Sequence, residues 1–276
     1  MGSAILVALA MLLSFVRPAY ADLTLTITSR STGMGPATRG QQRVLASGRQ
    51  MRIEPISGLS FASAAGGEMI SDGDGWVVVD PESRTYWKHG HVSTRMRRFV
   101  NALLGWKEPR PLLTVDEIVV DRLREKDGGT ILGHRTRLQR CRLRFRINTW
   151  GLMASSDSAP ESVIMEAQLN EIWFAPSLQN ETLRRHLLGT GFANVDEQLA
   201  RALAAVPGLP LKRTARRWTQ TGTTPAGEAT NAMEVERIDL GNVPRSAFEP
   251  PAGYRRVRWQ DALARQHAKA AGIPPR

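Results

Sequence analysis

From Arg140 to Ile147 the chain alternates without a break: Arg140, Arg142, Arg144 and Arg146 interleave with Cys141, Leu143, Phe145 and Ile147. Successive side chains of an extended strand leave on opposite faces. This octet therefore puts four guanidiniums on one side of a sheet and four apolar groups on the other. A slip of one residue would bury all four charges, so the register of the strand is strongly specified. A sheet that buries one face and opens the other to water satisfies such a segment.

The same period of two recurs elsewhere. Leu23, Leu25 and Ile27 alternate with Thr24, Thr26 and Thr28, and further strands are predicted at 43–46, 50–54, 76–80, 84–88, 115–124, 138–147, 163–174, 211–221 and 233–240. Turn clusters separate them: Asp72-Gly73-Asp74-Gly75, Asp80-Pro81-Glu82-Ser83 and Lys126-Asp127-Gly128-Gly129. The fold expected is a large, meandering antiparallel sheet. Two stretches break the rhythm. Over 93–104, Met96, Phe99, Val100, Leu103 and Leu104 recur at helical spacing opposite Arg95, Arg97 and Arg98. Over 178–206, Leu183, Leu187 and Leu188 fall in one helix, Gly189-Thr190-Gly191 interrupts, and Val195, Leu199 and Leu203 fall in a second. Helices that close a core on a sheet and helices that cover an apolar cavity both fit this pattern. A short terminal helix is predicted from Gln260, in a closing segment of 259–276.

The first 21 residues form a separate unit. The apolar run Ala4–Val16 is followed by Arg17-Pro18 and by Ala19-Tyr20-Ala21, the small-x-small pattern of a cleavable export signal. The run is shorter than the roughly 20 residues of a membrane span. Cleavage after Ala21 and a periplasmic location are expected, with Asp22 where a lipoprotein would carry cysteine. Export matters for reading the charge. The chain carries a formal +11, and only five of its 37 basic residues are lysine. Arginine pairs bidentately with phosphate, which in the cytoplasm points to nucleic acid. In an exported chain the abundant anions are lipid headgroups, so nucleic acid is not expected as a partner. The stripe Arg140, Arg142, Arg144 and Arg146 is the candidate anionic contact, against the alternative of a solvated outer face.

Chemistry-bearing motifs are few. Neither G-x-S-x-G nor S-x-x-K occurs. Cys141, the one cysteine, alternates with arginines and is expected to be a buried structural thiol. His89-Gly90-His91 could aim two imidazoles at one ion, but zinc needs further ligands that no C-x-x-C or H-E-x-x-H provides. Asp72-x-Asp74 starts like a calcium loop, yet Trp76 and Ser83 stand where ligands are required, so it is expected to be a turn. Catalytic residues, metal and cofactor are all expected to be absent, and the chain is expected not to be an enzyme.

Several phrases in order resemble an uncharacterised periplasmic family within the LolA-like and LolB-like superfamily of carriers of lipid-modified proteins. They are Ile70-Ser71-Asp72-Gly73, the run Trp76 to Tyr86 through Asp80-Pro81, and Ile131-Leu132-Gly133-His134. Next come Glu171-Ile172-Trp173-Phe174-Ala175-Pro176, Gly208-Leu209-Pro210-Leu211-Lys212, Met233 to Asp239, and the ending Val243 to Tyr254 with Phe248-Glu249-Pro250-Pro251. The resemblance implies a mainly β (α+β) domain over 22–258: a strongly curved antiparallel sheet, an incomplete barrel, covered by helices that hold acyl chains against its concave face. On that reading Met96, Phe99, Leu103, Phe145 and Trp173 line the cavity, and the partner is a lipid or an acylated protein, with an anionic membrane surface beside it. The excursion 177–207 departs from the simpler carriers, which join the same two strands by a short turn. The alternative is a non-enzymatic envelope scaffold or stress-response partner with a filled core.

Overall fold

The computed structural model describes residues 22–33, 35–58, 67–73, 75–89, 113–149, 162–222, 224–262 and 265. The export signal expected at 1–21, the helix expected at 93–104 with Met96, Phe99 and Leu103, and His91 lie outside the described residues.

Among the described residues thirteen strands are formed. They are β1 (Leu23–Gly33), β2 (Gly35–Ser47), β3 (Gln50–Gly58), β4 (Glu68–Ser71), β5 (Trp76–Asp80), β6 (Thr85–His89), β7 (Leu113–Arg122), β8 (Lys126–Ile131), β9 (His134–Thr149), β10 (Ser162–Ala175), β11 (Leu209–Thr221), β12 (Thr224–Leu240) and β13 (Arg255–Arg256). Helices α1 (Glu181–Leu188) and α2 (Ala193–Ala202) lie between β10 and β11, and a 3-10 turn covers Arg245–Phe248. All strands join one curved sheet in the order β13-β6-β5-β4-β3-β2-β1-β12-β11-β10-β9-β7, with β8 pairing the first part of β9. Among the described residues the end strands do not meet, so the barrel is incomplete as expected. Every pairing is antiparallel except β13 on β6.

Sequence boundaries moved where alternation is weak. The Lys126-Asp127-Gly128-Gly129 cluster, expected to be a turn, opens β8, because β9 supplies its hydrogen-bonding partners from Lys126↔Leu138 to Ile131↔His134. The turn itself falls at Leu132-Gly133, both with positive φ. Strands β2 and β12 begin earlier than expected because their polar first halves extend β1 and β11.

One face of the sheet, the helix face, is covered by α1 and α2. Leu183 and Leu187 pack on Leu23, Leu25, Val44, Ile53, Leu209 and Leu211. Leu199 and Leu203 close over Cys141, Ile172 and Phe174. Each large aliphatic buried in this way stabilises the fold by about 1.5–3 kcal/mol. Asn180 caps α1, its Oδ1 accepting from the Leu183 N–H at 2.9 Å. The chain returns to the sheet through Gly208, at φ +98°. A Cβ there would stand 2.2 Å from the Ala175 carbonyl oxygen, so only glycine fits. On the opposite, open face, Val243, Phe248 and Tyr254 of the C-terminal connector cover Ile70, Val79 and Tyr86. The connector stops at that end, and among the described residues no element packs on the open face of β9–β11.

Candidate functional site

Pairing in β9 and β10 decides where each predicted residue points. Arg140, Arg142, Arg144 and Arg146 stand on the open face, opposite Glu171, Leu169, Ala167 and Met165. Most of the stripe is neutralised. Arg140 pairs with Glu171 at 2.6 Å, Arg144 with Asp121 at 3.7 Å, and Arg146 with Asp116 and Glu117 at 2.7 Å each. The Arg146 guanidinium, with help from Asn148, holds the Asp116 carboxyl below the usual carboxylate range. Arg142 alone of the four has no ion-pair partner among the described residues, so the stripe is one free cation among paired ones rather than a band of free charge.

Of the expected cavity lining, Phe145 and Trp173 fall among the described residues. Phe145 is fully buried on the helix face, with Phe192 edge-on to its ring at 5.7 Å and Val195 packed beside it. Trp173 pairs with Leu138 and so leaves on the open face, where Lys212 Nζ lies 5.6 Å over its ring. The two side chains project from opposite faces and line no common cavity.

The helix face also carries a polar chain that the sequence did not announce. Gln168 donates to Glu166 at 2.5 Å, Asn170 donates to Gln168 at 3.4 Å, and Arg213 donates through Nε and Nη2 to Asn170 Oδ1 at 3.1 and 2.9 Å. Arg213 Nη1 also donates to the carbonyls of Leu188 and Gly189, at 2.8 and 3.3 Å. It thereby satisfies the free acceptors at the C-terminus of α1, where the helix dipole favours a cation. Arg184 does the same for the end of α2, donating to Leu203 and Gly208 carbonyls at 2.8 and 2.6 Å while its guanidinium lies over Phe174. Cys141 is buried as expected, and desolvation pushes its thiol up to about 11.

These polar positions reveal the main anomaly of the site. In β10 the covered face holds Glu166, Gln168 and Asn170 before Ile172 and Phe174, whereas Met165, Ala167 and Leu169 stand on the open face. The middle of the strand, 165–170, is inside out, between Ile164 and Ile172 on the covered face, and the pairing with β9 continues through it without a bulge. Trp218 of β11, opposite Ala167, joins the exposed apolar row. Met165 and Trp218 are each 38% exposed. Two adjoining depressions of about 340 and 400 Å³ lie over this row and share Arg144, Ala167 and Trp218 in their walls, the second also bordered by Arg140, Arg142 and Leu169. The result is a trough with an apolar floor and an arginine rim. A phase change between Leu169 and Ile172 is visible in the sequence, but pairing alone shows which half faces water.

A larger depression, about 890 Å³, lies elsewhere, at the β8–β9 hairpin and the β10–α1 turn. Its walls are charged and mostly paired, Arg135 with Asp127 and Arg137 with Glu125, each at 3.3 Å. Among the described residues no cluster of three or more His, Cys, Asp or Glu side chains could hold a metal ion. The Asp72 segment is a turn, its carboxylate accepting from the Gly75 N–H at 3.1 Å. Among the described residues no helix is long and apolar enough to cross a membrane.

The fold and trough define a class: an unclosed, curved antiparallel sheet with helices on one face and an apolar, arginine-edged groove on the other. No family model and no curated protein matches the sequence. Among solved structures the chain is similar to a LolA superfamily protein from Nitrosomonas europaea, with 11% identity over 85% of this chain and 92% of that one and a TM-score of 0.30. It is also similar to a domain named for outer-membrane lipoprotein sorting from Vibrio parahaemolyticus, with 8% identity, 88% and 95% coverage and a TM-score of 0.28. A third similarity is to the MucA/MucB complex of Pseudomonas aeruginosa, with 9% identity, 82% and 95% coverage and a TM-score of 0.21. Likenesses at these TM-scores assign no ligand or partner to this chain.

Proposed function

We propose that the chain is an exported, non-enzymatic binding protein for lipids or lipid-modified proteins, and that it lays an acyl chain along the open-face trough of β9–β11. The inverted middle of β10 carries this reading: Met165, Ala167 and Leu169 stand on the open face beside Trp218, while Glu166, Gln168 and Asn170 occupy the covered face. Keeping apolar side chains exposed and polar ones buried costs stability, and a site that is covered by a ligand gives that arrangement a use. A methylene fully removed from water contributes about 0.8 kcal/mol. Half-burying about fifteen of them on an open floor gives about 6 kcal/mol, a dissociation constant on the order of 10–100 μM. Arg142, unpaired at the rim, suits the acidic end of such a chain.

The test is uptake of a brominated fatty acid read by quenching of tryptophan fluorescence, with native mass spectrometry of protein isolated from the periplasm. Saturable quenching and a co-purified lipid are expected. Changing Met165, Leu169 and Trp218 together to serine is expected to abolish uptake. A lipid-free protein with no uptake refutes the reading. Uptake untouched by the triple change refutes the trough as its place.

The second reading, a scaffold with a filled core, is favoured by one observation: Phe145, Phe192 and Val195 leave that part of the helix face packed. It predicts a lipid-free protein that captures a protein partner through the same exposed row.

A further inference from the structure

If the arginine stripe of β9 is mostly neutralised, the surplus positive charge must act elsewhere. The sheet's other end carries a different arrangement. Strand β13 closes that end by pairing with β6, Arg255 opposite Thr85 and Arg256 opposite Tyr86, and the Arg255 N–H donates to the Arg84 carbonyl at 3.0 Å. Arg84 itself holds φ +49° at the end of the Asp80-Pro81-Glu82-Ser83 turn, whose Asp80 carboxylate is engaged by the N–H groups of Glu82 and Ser83 and by the Ser83 hydroxyl. Arg84, Lys88, Arg255 and Arg256 are all exposed. Among the described residues none of the four has an ion-pair partner, and Arg265 Nη2 reaches the same ladder, donating to Thr85 Oγ1 at 3.3 Å. Two tyrosines, Tyr86 and Tyr254, stand half-buried beside them.

We propose that this rim, Arg84, Lys88, Arg255 and Arg256, docks the protein on the headgroups of an anionic phospholipid bilayer. Successive residues of a strand leave on opposite faces, so Arg255 and Arg256 present cations on both sides of the sheet edge, a geometry suited to a plane met end-on. Guanidiniums pair bidentately with phosphate, and tyrosine is favoured at the headgroup level. The rim sits on an edge, not in a concavity, and a flat charged surface needs no complementary shape. A β13 of two residues offers too little backbone for a partner strand to extend the sheet. The inference is independent of the acyl-chain trough, which lies at the far end of the sheet.

Flotation with vesicles tests it. The protein is expected to float with vesicles containing phosphatidylglycerol and not with pure phosphatidylcholine, and to be released by salt. Each arginine near such a surface is worth about fivefold in binding, so Arg84→Gln, Arg255→Gln and Arg256→Gln together are expected to weaken it about a hundredfold. A charge-matched variant, Arg185→Gln, Arg201→Gln and Arg237→Gln, removes exposed arginines that are already paired and is expected to bind as the parent does. Equal loss in both variants, or no flotation of the parent with the anionic vesicles, overturns the proposal. Brominated fatty-acid uptake measured on the same rim variant is expected to be unchanged, so trough and rim can fail separately.

Discussion

Arg213 offers the sharpest test of how the helix layer is held on the sheet. Its guanidinium is buried, touches no carboxylate, and donates to Asn170 Oδ1 and to the Leu188 and Gly189 carbonyls. Desolvation pulls its pKa below the ordinary arginine value, and the charges of Cys141 and Asp196 oppose that shift. Arg213→Met keeps an unbranched apolar stem, shorter than arginine, and removes every donor. Asn170 Oδ1 and the Leu188 carbonyl then lose their best partner, at about 1–3 kcal/mol for each buried acceptor. Relief of the buried charge offsets part of that, so a net loss of about 2–4 kcal/mol is expected. Urea unfolding followed by circular dichroism measures it, and for a chain of this size the melting point is expected to drop by about 5–15 °C. The companion variant Asn170→Leu in the Arg213→Met background removes donor and acceptor together. It is expected to recover part of the loss, because replacing both partners by apolar groups is close to neutral. A single variant within about 0.5 kcal/mol of the parent, or a double variant whose loss equals the sum of the two singles, refutes the account of Arg213 as the anchor of α1.

Burial pushes His186 down to about 4, so the unfolded chain takes up a proton near pH 6.5 that the folded chain refuses. Stability is expected to fall as pH drops from about 6.5 to about 4, by at most about 3 kcal/mol because the residue keeps part of its surface, and His186→Gln is expected to flatten that slope in urea titrations at stepped pH. Cys141, with its thiol pushed up to about 11, is expected to resist iodoacetamide at pH 8 in the folded protein and to react once urea unfolds it, which mass spectrometry of the labelled chain reads directly.

Much of the sheet was legible in the sequence because period-two alternation is local. Arg140 to Ile147 was placed on the correct faces, and the two helices between β10 and β11 fall within the stretch marked by Leu183, Leu187, Val195 and Leu199. What failed depends on relations between strands. Lys126 to Gly129 has the composition of a turn and becomes a strand only because β9 passes alongside. That Trp173 and Phe145 leave on opposite faces follows from a register that no single strand specifies. The neutralisation of the arginine stripe needed the pairing of β7 with β9 to bring Asp116 and Asp121 within reach. Arg213 sits in an alternating run of β11 like any solvated arginine, and only the end of α1 above it shows why it is buried.

The pairing of β1 with β12, from Leu23↔Leu240 to Thr32↔Thr230, sets the timetable of assembly. The first strand of the sheet waits for a partner about two hundred residues downstream. A chain delivered from its N-terminus can form the β1–β2–β3 meander early, but the flank of β1 stays bare until almost the whole polypeptide has arrived. Closing so long a loop is slow, and an unpaired strand edge recruits other chains in the meantime. Shielding β1 during delivery is thus expected to raise the yield of folded protein more than speeding any later step.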